Sequence, residues 1–247
     1  MTFIVGTRVN STTYSDATEA VVDWSHRRDS RYVCIANVHM LMEASDSNEF
    51  KRLVNAADLI VPDGMPLVWI LRVKGKRSQQ RVYGPTLMLY VMEFAARDGI
   101  PVGFYGGKPE VLESLTKRMQ ARYSKLSVVF SCSPPFHVMS PEEDASIVEQ
   151  INESGARILF VGLGCPKQEI WMAEHRGRVK AVMLGVGAAF DFHAGVKPQA
   201  PEWIQKIGLE WLFRFFHEPR RLWKRYLYHN PRFIVLALAD IFGLLKN

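Results

Sequence analysis

The sequence predicts an α/β protein: a Rossmann-like, mainly parallel sheet with helices on both faces, followed by a helical, membrane-associating appendage. Three observations predict it. Six short apolar runs recur, at "YVCIAN" (32–37), "DLIVPD" (58–63), "PVGFYGG" (101–107), "LSVVFSC" (126–132), "ARILFVGLG" (156–164) and "KAVMLGVG" (180–187). Helix-length stretches with a 3.6-residue period separate them. After residue 195 the chain turns basic and aromatic. Continuous apolar strands joined by such helices bury both faces of their sheet, which favours parallel pairing.

In chain order, the first run closes on Asn37 and the second on Asp63-Gly64 in "DLIVPDGMP". "PTLMLYVMEFAARDG" (85–99) reads as a helix, preceded by Arg81 and Gly84 in "RVYGPTLM". After the third and fourth runs, "PEEDASIVEQINESG" (141–155) is a second helix, with Ser140 as N-cap, acids in its first turn and Gly155 as its stop. The fifth run passes Gly162 and Gly164 into Pro166-Lys167-Gln168-Glu169, and Pro166 suits the first position of the next helix. The sixth ends on Gly185 and Gly187, ahead of Asp191 and His193. Prolines after Gly195 then divide a 1–195 α/β domain from a 196–247 appendage.

A chain of 247 residues, 48% apolar and 23% charged, supports one large α/β domain with such an appendage. Three cysteines without metal-ligand spacing are expected as free thiols in a reducing cytoplasm. "MTFIVGTRVNS" lacks the basic start and apolar core of a signal peptide. "FIVLALADIFGLL" (233–245) carries Asp240 and falls short of the roughly 20 residues a spanning helix needs. Residues 196–247 hold nine Lys/Arg against four Asp/Glu, nearly the whole excess of +6. The same segment holds Trp203, Trp211, Phe215, Trp223 and Phe233. A basic, aromatic tail on a nearly neutral body points to an anionic partner.

Ligands of open α/β sheets bind beyond the carboxyl ends of the strands. That rule selects Asn37, Asp63, Gly64, Arg81, Gly84, Gly164, Pro166, Lys167, Gln168, Glu169, Gly187 and Asp191. A helix N-terminus after Gly164 favours a phosphate or carboxylate, and Arg81 is a natural phosphate partner. Asp191 and His193 alone make a weak metal pair, and the chain contains no Asp-x-Asp.

The chain resembles the WecG/TagA/CpsF family of bacterial glycosyltransferases (glycosyltransferase family 26). The resemblance rests on "VPDGMPLVW", "RVYGPTLM", "GLGCPKQEIW", "GVGAAFDFHAG" and "APEWIQKIGLEWLFRFFHEPRRLWKRYL", in the family's order over nearly the whole length. It implies inverting transfer of an N-acetylmannosamine-type, uronic or glucosyl unit from a UDP-sugar to an undecaprenyl-diphosphate-linked sugar. It places that reaction at the cytoplasmic face of the membrane, in cell-surface polysaccharide synthesis, with no metal cofactor. Asp63 is then the expected base, with Arg81, the Gly164–Lys167 backbone and the tail residues Arg214, Arg221 and Arg225 meeting the charge of the leaving diphosphate. Gln168 and Glu169 would hold sugar or ribose hydroxyls.

Two alternatives belong to other classes. A Rossmann-type NAD-dependent oxidoreductase would need the third glycine of G-x-G-x-x-G and a ribose-binding acid, and neither stands in place. A non-enzymatic module with an RNA- or partner-binding tail would leave the polar strand ends without a task, so no nucleic-acid partner is expected. Oligomerisation stays open.

Overall fold

The computed structural model describes residues 2–135, 137 and 139–244. Leu245, the last residue of the apolar run near the end, and the final two residues of the appendage lie outside that range. The chain opens with an antiparallel hairpin, β1 (Thr2–Ile4) and β2 (Thr7–Val9), which the sequence reading did not anticipate. Helix α1 (Tyr14–Arg27) follows.

All six apolar runs become strands: β3 (Arg31–Ala36), β4 (Leu59–Pro62), β5 (Val102–Gly106), β6 (Val128–Cys132), β7 (Ile158–Gly162) and β8 (Val182–Gly185). They form one sheet in the order β4-β3-β8-β7-β5-β6, and every neighbouring pair is parallel. The layering is Rossmann-like, although this order differs from the 3-2-1-4-5-6 arrangement of dinucleotide-binding sheets.

Between β3 and β4 lie α2 (Val38–Asp46) and α3 (Asn48–Asn55); α4 (Met65–Val73) and α5 (Gly84–Asp98) follow β4. Helix α6 (Pro109–Arg122) leads to β6, and α7 (Pro141–Glu153) to β7. Ser140 caps α7 in a two-way capping box with Glu143, as its sequence predicts. Helices α8 (Lys167–Glu174) and α9 (Ala189–His193) flank β8. The appendage comprises α10 (Glu202–Lys206), α11 (Glu210–His217) and α12 (Pro219–Ile241).

Each face of the sheet has its own core. Ala17, Val21, Leu87, Met88, Leu115 and Phe190 bring α1, α5, α6 and α9 onto one face. Met40, Phe50, Leu67, Ile151 and Met172 bring α2, α3, α4, α7 and α8 onto the other. Phe233 and Ala237 of α12 belong to that second core, together with Ile4 of the hairpin. The appendage is therefore packed into the body at its far end. Pro231 sits inside α12 rather than at the start of a helix. No helix among the described residues is long and apolar enough to cross a membrane.

The connections leave β5 and β7 in opposite lateral directions, which opens a crevice at their carboxyl ends. Gly106 lines it at φ +114°, where a Cβ would meet the Gly162 carbonyl carbon at 2.6 Å. Only glycine fits there.

Candidate functional site

The site is built first from the ends of β3 and β4. The backbone N–H groups of Asp63 and Gly64 both donate to the Ala36 carbonyl, at 2.9 and 3.2 Å. These bonds fold the end of β4 over the end of β3 and set Asp63 beside Asn37. Asn37 caps α2, its side chain accepting from the Met40 N–H at 3.2 Å. Gly64 caps α4, and a Cβ there would lie 3.4 Å from the Cα of Asn37. Gly84 opens α5, where a Cβ would crowd Ile35 at 3.1 Å and approach Asp63 Oδ2 at 3.8 Å. A side chain at Gly84 would thus press against the floor on which the Asp63 carboxylate rests.

Arg81 holds that carboxylate. Its Nε donates to Asp63 Oδ1 at 3.1 Å and to the Asp63 carbonyl, and its terminal nitrogen donates to Oδ1 at 2.8 Å. The same terminal nitrogen donates to Glu210 Oε2 at 2.6 Å. Tyr83 completes the group: its hydroxyl donates to Glu210 Oε1 at 3.2 Å, and its ring lies 4.1 Å beneath the guanidinium carbon. Arg81 is thus engaged by two carboxylates, an ion-paired arrangement that differs from the phosphate contact the sequence leads one to expect.

No hydrogen bond reaches Asp63 Oδ2 among the described residues, and the side chain keeps 14% of its exposure. Burial pushes the Asp63 carboxyl up to about 6, with Glu210 adding to the rise and Arg81 opposing it. One oxygen held, one free and a pKa near neutrality are what a general base requires.

The appendage supplies the positive charge. Glu210 and Arg214 lie one turn apart on α11, and the Arg214 guanidinium sits 5.7 Å from the Phe192 ring. Its charge acts on both Asp63 and Arg225. Arg225 on α12 is half-buried, and burial lowers its pKa, with Arg214 and Arg221 pushing the same way. The Nε atoms of Arg214 and Arg225 are buried without a partner among the described residues. Buried donors of this kind call for an acceptor. Arg221 is exposed and ion-paired with Glu218.

The loop after β7 differs from its expected arrangement. Pro166 precedes α8 as its N-cap, after a cis peptide bond from Cys165, instead of occupying the first helical position. Gln168 points inward: its Oε1 accepts from the Gly164 N–H at 3.2 Å, and its Nε2 donates to the Gly185 carbonyl at 3.1 Å and Glu169 Oε1 at 2.8 Å. It ties the loop, in which Gly164 takes φ +80°, to the end of β8. Gly187 lies over the same amide. Glu169 is 1% exposed, its Oε2 is unpartnered among the described residues, and burial pushes it up to about 7. Both side chains are buried, whereas Lys167 is exposed.

Asp191 and His193 do not converge on a metal. Asp191 pairs with Lys197 at 2.7 Å, while His193 Nε2 lies 2.8 Å from the Pro85 carbonyl. Lys197 also reaches Glu218 at 3.1 Å. A cavity of about 270 Å³ opens here, lined by Phe192, Lys197, Phe213, Arg214 and Glu218 among others.

Glu210 and Tyr83 went unnoticed in the sequence. Tyr83 lies within the quoted "RVYGPTLM", and Glu210 is one of only four acids in a basic segment. That contrast was the available signal.

The α/β sheet thus sets a half-free, buried carboxylate at a strand end, near an arginine whose Nε is unpartnered among the described residues. The chain belongs to the glycosyl transferase WecG/TagA/CpsF family, whose model matches residues 2–247. It is a glycosyltransferase of cell-surface polysaccharide synthesis, a reaction class that joins a sugar donor to a lipid-linked acceptor.

Proposed function

We propose that the enzyme moves an N-acetylmannosamine-type, uronic or glucosyl unit from a UDP-sugar to an undecaprenyl-diphosphate-linked sugar, with inversion. The observation that carries this reading is the Asp63 carboxylate, held at Oδ1 by Arg81 and open at Oδ2. Asp63 Oδ2 takes the proton of the acceptor hydroxyl as its oxygen attacks the anomeric carbon. The bond from that carbon to the diphosphate oxygen breaks on the opposite face, and UDP leaves with the electron pair.

The charge gathering on the diphosphate is met by Arg214 and Arg225, whose buried Nε atoms have no acceptor among the described residues. Arg221 adds to the same field, and Lys167 with the Gly164–Lys167 backbone completes it. Fixed donors aimed at developing charge are a large source of rate enhancement and make a metal at the phosphates unnecessary.

The tail is read as the membrane contact. Trp223, Leu227, Ile234 and Leu238 follow helical spacing along α12 and are 45%, 69%, 58% and 50% exposed. Trp203 on α10 and Phe216 on α11 are exposed as well. An apolar stripe flanked by Arg220, Arg221 and Lys224 fits the interface of an anionic bilayer. This supports a peripheral position on the inner face of the membrane, where a lipid-linked acceptor is carried.

The test is direct. The protein is incubated with a panel of UDP-sugars and a short-chain lipid-diphosphate sugar, and the product's mass and anomeric configuration are read. Transfer from no UDP-sugar, or a product of retained configuration, overturns the reading.

A further inference from the structure

A second cluster lies outside this machinery. His39 and Glu43 stand one turn apart on α2, and His229 faces them from α12. Glu43 Oε1 is 3.2 Å from His39 Nε2 and 3.5 Å from His229 Nε2, and one ligand atom from each of the three residues lies within 4.8 Å of the others. The two imidazoles meet edge to face, with centroids 5.3 Å apart.

The two spacings from Glu43 match the edges of a coordination shell. A tetrahedral ion with bonds of about 2.0–2.1 Å holds neighbouring ligand atoms roughly 3.3 Å apart. Burial pushes His39 down to about 3, helped by Arg225 and His229, and burial likewise lowers His229. The neutral imidazole is the form that ligates metals. Both Nδ1 atoms are buried and unpartnered among the described residues. They remain so whether the cluster is hydrogen-bonded or metallated, so the spacing decides. The Glu43 side chain is 32% exposed, which leaves a route for a water as fourth ligand.

The surroundings select the ion. Arg225 and Arg232 face the pair, and Arg232 is already bound to Asp46. Nearby positive charge disfavours an ion held by charge alone, such as Mg²⁺ or Ca²⁺. Two imidazoles and one carboxylate suit Zn²⁺. We propose that His39, Glu43 and His229 bind one zinc-class ion that fastens α12 to α2. Since His229 lies one turn beyond Arg225, the ion would fix the turn of α12 that delivers that arginine.

The experiment uses full-length protein stripped with EDTA and desalted, then titrated with Co²⁺ and Zn²⁺. One Co²⁺ per chain should bind with the strong visible absorption of four-coordination, and Zn²⁺ should displace it. Zn²⁺, but not Mg²⁺, should raise the unfolding temperature. His229→Gln and Glu43→Gln should each weaken Zn²⁺ binding by about 100-fold or more, at least the loss seen when a supporting residue is removed. Should His229→Gln fail to fold, Glu43→Gln at the rim decides alone. Absence of stoichiometric binding, or binding that survives these substitutions, overturns the site and leaves a hydrogen-bonded clasp.

Discussion

The terminal nitrogen of Arg81 lies 2.8 Å from Asp63 Oδ1, and with the Nε contact it fixes one carboxylate oxygen while leaving the other unengaged. This pairing orients the proposed base without quenching it.

Asp63→Asn keeps the Arg81 contacts in part but cannot take a proton. Turnover should fall by roughly 100-fold or more with folding and donor binding retained. Near-normal turnover in a well-folded variant removes Asp63 from the mechanism.

The acid limb of the pH–rate profile should report the same group. Asp63 works deprotonated and is pushed up to about 6, so activity should rise as pH passes through about 6. Glu210 contributes to that elevation, so Glu210→Gln should move the limb to lower pH. A limb that stays in place would dissociate Glu210 from the base.

Glu169 should leave a pH-dependent mark on stability. Its carboxyl is raised from 4.5 to about 7 by burial, so the folded state keeps a proton that the unfolded chain releases. Stability is therefore full below pH 4.5 and declines as pH rises toward about 7. Glu169→Gln, which preserves the bond from Gln168, should stabilise the protein at pH 8 by roughly 3 kcal/mol. The gain should vanish near pH 4 in denaturant titrations; a pH-independent difference would contradict the assignment.

The tail residues should separate into two classes. Arg225→Gln should lower turnover on a water-soluble acceptor, and Arg221→Glu should do so less strongly, since Arg221 is exposed and paired. Trp223→Ser with Leu227→Ser should reduce liposome binding while sparing the soluble reaction. If both sets behave alike, the appendage has a single task.

Transfer itself should need no divalent ion at the phosphates. Mg²⁺ or Mn²⁺ added to EDTA-treated, zinc-reloaded enzyme should leave turnover unchanged. Stimulation by either would require a metal in the departure of UDP.

The parallel sheet was legible because buried strands carry apolar runs too strong to mistake, and because Ser140 and Pro141 mark a helix start by local chemistry. The hairpin at Thr2–Val9 escaped because its turn is Val5-Gly6 rather than Asn-Gly, and its strands have three residues each. Strand ends pointed to Asp63, since position along a strand is a local property. Side-chain direction is not, so Gln168 and Glu169 were placed toward a ligand although they turn into the core. The Arg81–Glu210 contact spans 129 positions, and no local pattern encodes it.

Asp240, buried on α12, accepts from the Val5 N–H at 3.1 Å and pairs with Lys74 at 2.8 Å. Val5 sits at φ 50°, a conformation that β-branched residues avoid. The opening turn is thus secured by a carboxylate 235 positions later. During synthesis the first hairpin must wait for almost the entire chain to leave the ribosome before its anchor arrives. Until then one core lacks Phe233 and Ala237, so a nascent or truncated chain would expose the apolar surface they cover.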